Sequence, residues 1–307
     1  MRRYLDEFLS DRRVIEVNPI FWQVILKLVV LTTRPKKSGH AYDKIWNREL
    51  NESPLKTVTR NQVEKIAARL ANVPGLVIDW AMRYGLPPIA ERLKAMVDQG
   101  CDRVLLFPLY PQYSAATTAT VQDKTFDALK TMRWQPALRT VPAYFDHPAY
   151  IDALAQSLEA HLASLDWRPD RIIASYHGLP EEYHQKGDPY YCHCQKTTRL
   201  LRDRLGLPED AITTTFQSRF GRAEWLKPYT ADTIEALPAQ GVKNVVVITP
   251  GFAADCVETL EEIGIGVRES FMSAGGRNFD VTPCLNDSDV SIEMLSTIIE
   301  EELQGWR

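Results

Sequence analysis

The chain has 307 residues, of which 45% are hydrophobic and 25% charged, a composition typical of a soluble globular protein with one large or two ordinary domains. Its formal net charge of -4 leaves no basic excess to neutralise phosphates, which argues against a nucleic-acid-binding surface. The cysteines number five, an odd count in a chain without an export signal, so we expect reduced thiols and a cytoplasmic location.

The N-terminal region is helical in pattern and does not resemble a secretory signal, because MRRYLDEFLSDRR is charged throughout. The apolar stretch FWQVILKLVVL, residues 21–31, contains Lys27 and is too short to cross a bilayer. We expect it to form a buried helix face. Peripheral contact with a membrane through Phe21 and Trp22 is the alternative.

Along the rest of the chain, apolar β-branched runs alternate with amphipathic stretches of helical period, which predicts parallel sheets with helices on their faces. Strands are predicted over Leu76–Met82, Arg103–Pro108, Leu138–Pro142, Arg171–Tyr176, Ala211–Gln217, Asn244–Thr249 and Phe279–Thr282. Helices are predicted over Pro88–Asp98, Ile151–Leu165, Thr197–Leu205 and Val290–Leu303.

An internal repeat indicates two similar α/β halves. DRVLLFPLYPQYS at residues 102–114 parallels KNVVVITPGFAAD at 243–255, and segment 138–158 parallels segment 279–299. The predicted domains are an N-terminal half over residues 1–145, a C-terminal half over 146–286, and a C-terminal helix over 287–307 that packs back on the first half.

The two halves differ at their beginnings. The second half opens with the strand in RIIASYHGLP, residues 171–180, and residues 1–70 contain no matching β-branched run. We therefore expect either a first half built on three strands or a chain without the N-terminal strand.

Carboxylates crowd the segment ITPGFAADCVETLEEI, residues 248–263, where a predicted strand passes into a helix. Asp255 could be the N-cap of that helix. However, Asp255, Glu258 and Glu262 have the spacing i, i+3 and i+7, and like charges on one helix face repel unless a cation or proton is held there. The spacing favours a cation-handling site.

His177 follows an apolar strand directly and precedes a Gly-Leu-Pro turn. Ligands of open α/β sheets bind outside the carboxyl ends of the strands, which places His177 at the same edge as Asp255 and Glu258. A histidine beside carboxylates can act as a general base or a metal ligand, whereas a lone one would make a loop hydrogen bond.

Aromatic and basic residues follow other predicted strands at this edge: Arg83 and Tyr84, then Tyr113, then Trp225. Aromatic faces suit a flat apolar ligand and arginine suits its carboxylates, although core packing would explain any one of these residues.

Motifs typical of nucleotide-binding proteins, serine hydrolases and zinc proteases are absent from the sequence. The sequence has no GxGxxG, GxxxxGK[ST], GxSxG or HExxH motif. Cys192, His193 and Cys194 form a C-x-C in the loop predicted at GDPYYCHCQKTT, whereas zinc sites normally use C-x-x-C spacing with a second pair.

Four motifs, SYHGLP, KGDPYYCHCQKTTRLL, FQSRFGRAEWLKP and PGFAADCVETLEEI, resemble the ferrochelatases, and the likeness runs from about residue 42 to the C-terminus. The resemblance implies two Rossmann-like, chelatase-type halves, each a parallel sheet flanked by helices. It also implies a lyase of haem biosynthesis that inserts ferrous iron, as substrate, into protoporphyrin IX to form protohaem, requires no cofactor and is a monomer.

The resemblance assigns metal binding and pyrrole deprotonation to His177 and Glu258, with Asp255 and Glu262 continuing an acidic line. It implies five porphyrin contacts: Arg83, Tyr84, Tyr113, Trp225 and Phe252.

The chain departs from the family pattern at three places. Cys256 stands where some members have histidine, no cysteine follows Cys284 to complete a C-terminal [2Fe-2S] group, and the usual first strand is missing. The alternatives are therefore a chelatase for coproporphyrin or another tetrapyrrole, and a truncated, non-catalytic protein that binds porphyrin or metal.

Overall fold

The computed structural model describes residues 1–221 and 223–306. The chain divides into two compact units. The first contains Met1–Leu109, Ser114–Pro142 and the chain from Ile299 onward, and the second contains Tyr110–Tyr113 and Ala143–Ile298. The structure therefore places the boundary between the two units after Pro142, whereas the sequence predicted it between residues 145 and 146.

The first unit is mainly helical. Its elements are α1 (Arg2–Leu9), α2 (Pro19–Ile25), a first π-helix (Leu26–Val30), α3 (Leu31–Ile45), α4 (Pro54–Arg69), α5 (Ile89–Asp98), β1 (Arg103–Leu106), α6 (Thr118–Lys130) and β2 (Ala137–Thr140). Capping residues define the N-termini of two of these helices. Asn18 caps α2 and Ser53 caps α4, and in both a proline occupies the next position, where a missing N–H costs nothing.

The sheet of the first unit, within the described residues, consists of the parallel pair β1 and β2, with Arg103 opposite Ala137. The strand predicted over Leu76–Met82 is wrong, and so is the three-stranded first half. Only Met82 pairs, through an isolated bridge to Pro88 and a hydrogen bond from its N–H to the Pro87 carbonyl (2.8 Å). An apolar run becomes a strand only where a neighbouring backbone accepts its hydrogen bonds.

The apolar stretch at residues 21–31 is only partly buried, whereas the sequence predicted a buried helix face. Leu26 and Leu31 pack with Leu5, but Phe21 is 69% exposed and Leu28 70% exposed. Amphipathic patterning fails here because apolar residues occur on all sides of the helix and only one side meets the unit. No helix in the described part of the chain is long and apolar enough to span a membrane.

The second unit alternates strands and helices. Its elements are α7 (Pro148–Ser164), β3 (Arg171–His177), α8 (Glu181–Gln185), α9 (Tyr190–Arg204), β4 (Ile212–Gln217), α10 (Thr230–Ala236), a 3-10 helix (Leu237–Gln240), β5 (Asn244–Ile248), a second π-helix (Glu258–Val267), α11 (Arg268–Ser273), β6 (Asn278–Val281) and most of α12 (Asp289–Glu302). The residues of α12 from Ile299 onward belong to the first unit.

The strands of the second unit form a parallel sheet in the order β4-β3-β5-β6, counted over the described residues. Side chains alternate between the two faces of a sheet. Those of Ile173 in β3 and of Val245 and Val247 in β5 lie on the same face. There they pack in a buried cluster with Ile263 of the second π-helix and Phe271 of α11. The α/β class predicted from the sequence, with parallel sheets flanked by helices, is confirmed.

Candidate active site

The carboxyl edge of the second unit's sheet brings His177 and the acidic segment together. His177 ends β3 and pairs with Gln217 of β4. On its other side, β3 pairs with β5, whose last residue, Ile248, lies opposite Ala174. Because β5 ends at this edge, the chain from Thr249 to Glu258 continues from the same place, as the sequence predicted.

The ring of His177 is fixed by its neighbour. Its Nδ1 lies 2.6 Å from the carbonyl oxygen of Gly178. A carbonyl only accepts hydrogen bonds, so Nδ1 carries the proton in the neutral ring and Nε2 keeps a lone pair. The side chain is half-buried. This tautomer suits a base or a metal ligand that acts through Nε2.

Gly178 allows Trp225 to approach the main chain beside His177. A Cβ atom at this position would lie 2.7 Å from the Gln217 carbonyl oxygen and 3.1 Å from the Trp225 ring. Two main-chain contacts hold the tryptophan segment there, a bridge between Pro180 and Trp225 and a hydrogen bond from Leu226 N to Leu179 O (2.9 Å). The tryptophan predicted to contact a flat ligand therefore lies next to the predicted base.

Glu258 is the first residue of a π-helix rather than a member of an α-helix. The expectation that Asp255, Glu258 and Glu262 lie on one α-helical face is wrong, because Asp255 precedes the helix. The i→i+5 hydrogen bonding of a π-helix instead places residues four or five apart on one side. Glu258 and Glu262 meet that condition.

The carboxylate of Asp255 is occupied by local hydrogen bonds. The Thr259 hydroxyl donates to Oδ1 (2.8 Å) and the Asn286 amide donates to Oδ2 (2.7 Å). The Asp255 N–H returns a bond to Asn286 Oδ1 (2.8 Å). Asp255 thus joins the start of the helical segment to the loop after β6. It is not the N-cap considered from the sequence, because Val257 occupies that position and the Asp255 carboxylate accepts from side chains rather than from helix N–H groups.

Glu262 is bound by the end of β4. Ser218 donates to it from its amide N (2.7 Å) and its hydroxyl (2.5 Å), and Gln217 Nε2 lies 3.3 Å away. Ser218 has a φ of 64°, which is uncommon outside glycine. This conformation lets both donors of one serine reach one carboxylate.

Cys256 touches the remaining carboxylate. Burial raises the pKa of the Cys256 thiol, and the negative charge of Glu258 raises it further. The thiol therefore stays protonated and donates a hydrogen bond to Glu258. Within residues 1–221 and 223–306, no group of three or more His, Cys, Asp or Glu side chains is arranged to hold a metal ion.

Tyr113 is held by a histidine that sequence reasoning missed as a site residue. The Tyr113 N–H donates to His193 Nδ1 (3.2 Å), and the His193 ring stacks on Phe145 with centroids 3.6 Å apart. Burial lowers the pKa of His193, so the ring is neutral and Nδ1 can accept. The Tyr113 segment also meets the Pro-Gly-Phe turn, since a Cβ on Gly251 would lie 3.5 Å from Gln112 Oε1.

Arg83 and Tyr84 lie in the first unit and share one carboxylate, that of Asp11. The Arg83 guanidinium forms an ion pair with Asp11, and the Tyr84 hydroxyl donates to the same oxygen (3.0 Å). Glu7, one helical turn earlier, accepts the Gly85 N–H (3.1 Å). Glu7 and Asp11 carried no sequence signal beyond their i, i+4 spacing.

The C-x-C lies near the start of helix α9, whereas the sequence predicted a loop. Cys192 is exposed and Cys194 buried, as expected for residues two apart on a helix. Their thiols therefore lie on different sides of α9. The two cysteines that are nearest in the sequence are not placed to bind one metal ion together.

Comparisons with known proteins agree on one family. A family model described as Ferrochelatase matches residues 1–303. A protein named Ferrochelatase from Rhizobium meliloti (strain 1021) is 59% identical over 306 residues, which is 100% of this chain and 90% of that protein. Ferrochelatase from Brucella ovis is 56% identical over 306 residues, covering 100% of this chain and 87% of that protein.

Solved structures share the fold at low identity. SirB from Bacillus subtilis with Fe3+ aligns with a TM-score of 0.61 at 10% identity, over 83% of this chain and 93% of that one. The sirohydrochlorin chelatase SirB from Bacillus subtilis subspecies spizizenii, in complex with cobalt, aligns with a TM-score of 0.57 at 10% identity, over 80% of this chain and 89% of that one.

Proposed function

The chain belongs to the ferrochelatase family, and from this premise we propose that His177 and Glu258 carry out the insertion of ferrous iron into protoporphyrin IX to form protohaem. Membership of the family makes the protein a metal chelatase of haem biosynthesis with a porphyrin and a metal ion as its substrates. The roles of individual residues are our proposal.

His177 is the proposed base. Two pyrrole N–H protons must leave as the metal enters the macrocycle, and a base must therefore reach the face of the ring. The hydrogen bond from Nδ1 to the Gly178 carbonyl leaves Nε2 as the acceptor. The same carbonyl stabilises the imidazolium that forms after proton transfer, since Nδ1 remains a donor.

Glu258 is the proposed partner of His177 in holding the incoming metal. Ferrous iron is a borderline ion that accepts both imidazole and carboxylate ligands. The hydrogen bond from the Cys256 thiol leaves the other lone pairs of the Glu258 carboxylate available. Asp255 and Glu262 extend negative charge along the path of the metal, although both also accept structural hydrogen bonds.

Aromatic residues of the same unit are the proposed porphyrin contacts: Tyr113, Trp225 and Phe252. The approach of Trp225 to Gly178 supports this assignment, because it sets a flat surface beside the base. Arg83 and Tyr84 remain predicted contacts in the first unit, and a carboxylate of the porphyrin would have to compete with Asp11 for Arg83.

The observation that carries the proposal is the 2.6 Å contact between His177 Nδ1 and the Gly178 carbonyl oxygen at the carboxyl edge of the sheet. The test is anaerobic protohaem formation from ferrous iron and protoporphyrin IX by His177→Asn and Glu258→Gln, with porphyrin binding followed by fluorescence. We expect both variants to bind porphyrin and to insert iron at least about a hundredfold more slowly, as is usual for loss of an acid-base group.

Exposed residues of the same types provide matched controls. His184→Asn on α8 and Glu269→Gln on α11 are expected to behave like the wild type, because both side chains face solvent. Near-normal insertion by both site variants would overturn the roles. Faster metallation of coproporphyrin than of protoporphyrin would point to the other chelatase, and a Soret shift without metallation to a non-catalytic binder.

We also propose that the protein is cytoplasmic and touches the membrane surface through α2 and the first π-helix. Four apolar residues support this, since all are more than half exposed: Ile20, Phe21, Val24 and Leu28. Lys36 and Lys37 lie exposed on α3, where they would attract anionic lipid. Flotation with anionic vesicles should fall for Phe21→Ser combined with Leu28→Ser, and not for Phe126→Ser on α6.

A monomer without an iron–sulfur cluster completes the proposal. For the absence of a cluster, the support is that this sequence has no cysteine after Cys284 and that Cys192 and Cys194 differ in exposure on α9. Light scattering and iron and sulfide analysis of the purified protein test both points, and a dimer or stoichiometric sulfide would contradict them.

A further inference from the structure

Gln217, the last residue of β4, uses both ends of its buried side-chain amide. It is 3% exposed. Its Nε2 donates to the main-chain carbonyl of Glu258 (2.8 Å) and approaches Glu262 Oε2 at 3.3 Å. Its Oε1 accepts from the Ser175 hydroxyl (2.8 Å). Because both groups facing Nε2 can only accept, the amide has one orientation.

A chain of buried hydroxyls fixes the other end of that amide. The hydroxyl oxygens of Ser175 and Thr230 lie 2.8 Å apart, and those of Thr230 and Thr215 also lie 2.8 Å apart. All three residues are fully buried. Satisfied networks of this kind are rigid, since a partner lost in the interior leaves a desolvated group without compensation.

The main chain of Gln217 makes a hydrogen bond on the His177 side of the site. Its carbonyl accepts the N–H of Gly178 (2.8 Å), the residue after His177, and it pairs with His177 in the β3–β4 register. One residue thus bonds to the chain beside His177 through its backbone and to Glu258 through its side chain.

We propose that Gln217 is a positioning residue that sets the separation between His177 and Glu258, and hence the rate of metal insertion rather than the affinity for porphyrin. This inference rests on the proposed function. A displacement of about 1 Å in a reacting group can cost on the order of a hundredfold in rate. Loss of the hydrogen bond from Gln217 to the main-chain carbonyl of Glu258 would allow such a displacement of Glu258.

Two substitutions test the role. Gln217→Leu removes both hydrogen bonds. Gln217→Glu keeps the volume and the acceptor for Ser175, and it replaces the donor to Glu258 and Glu262 by a charged acceptor that repels both. For both we expect a kcat lower by about tenfold to a hundredfold, with an unchanged KM for porphyrin. Thr214→Val is the matched control, because Thr214 is a buried residue of β4 on the opposite sheet face.

A metal titration gives a readout without turnover. Co2+ binding to the free protein, followed by absorption, is expected to weaken about tenfold in Gln217→Leu and not in Thr214→Val. Equal Co2+ affinity and equal kcat in Gln217→Leu would overturn the positioning role. An inactive wild type would overturn the proposed function instead, and the Co2+ comparison would still decide the role of Gln217.

Discussion

Asp11 and Arg83 form an ion pair in which both side chains are nearly buried, at 11% and 10% exposure. The pair joins the segment that follows α1 to the turn that follows Met82. Tyr84 adds a hydrogen bond to the same carboxylate, and its ring lies 4.1 Å from the Arg83 guanidinium carbon. The N-terminal segment of the first unit is therefore held at this turn by charge as well as by apolar packing.

Asp11→Ala is expected to destabilise the protein by about 3 kcal/mol, because it leaves the Arg83 charge buried without its partner. Urea unfolding measures the change. Arg83→Met combined with Asp11→Ala should recover part of the loss, since no charge then remains unpaired. Additive losses in the double variant would show that the two residues do not interact.

The stability of the second unit is expected to depend on His193 in mildly acidic solution. Burial lowers the pKa of His193 below its ordinary 6.5, with Asp146 and Asp188 opposing the shift and Lys196 adding to it. The unfolded chain then binds a proton more readily than the folded one, so stability is lost as pH falls below about 6.5. Protonation also removes the Nδ1 acceptor of the Tyr113 N–H.

His193→Phe keeps a ring against Phe145 but has no acceptor for Tyr113. We expect a loss of about 1 kcal/mol at pH 7.5, the usual worth of one hydrogen bond. We also expect a smaller drop in melting temperature between pH 7 and pH 5.5 than in the wild type. A pH dependence identical in the two proteins would contradict the assignment.

Thiol labelling should separate the cysteines by environment. Burial raises the pKa values of Cys194, Cys256 and Cys284, and the thiolate is the reactive form. Cys192 is exposed at the start of α9. Iodoacetamide is therefore expected to modify Cys192 at least about tenfold faster than Cys194, Cys256 and Cys284, as read by peptide mass spectrometry. Rapid labelling of Cys256 would show that the Glu258 site is open to reagents.

The sequence predicted the second unit well because its signals are local. The β-branched runs at 171–176 and 244–249 became β3 and β5, and the position of His177 at the end of its strand followed from that assignment. Fully buried parallel strands have no polar face, so they appear in the sequence as continuous β-branched runs.

The π-helix and the partners of the acids could not be predicted in this way. Helical periodicity assumes i→i+4 hydrogen bonding, whereas the helix that begins at Glu258 has i→i+5 bonding. The first carbonyl of that helix accepts a hydrogen bond from Gln217, which is distant in the sequence. Asp11 and Gln217 were missed for the same reason. Their roles come from groups that are distant in sequence, and their own surroundings in the chain carry no motif.

Gly178 and Gly39 give a matched pair for the last prediction. A Cβ on Gly178 would meet the Gln217 carbonyl oxygen at 2.7 Å, and main chain cannot move aside as a flexible side chain can. Gly178→Ala is therefore expected to cost about 1–3 kcal/mol as overpacking, and to slow iron insertion because His177 and Trp225 shift. Gly39 lies within α3, where an added Cβ would meet no atom within 4 Å, so Gly39→Ala should stabilise by about 0.5–1 kcal/mol. Thermal unfolding of the two variants beside the wild type checks both signs, and equal melting temperatures would mean that β4 does not press on Gly178 closely enough to exclude a methyl group.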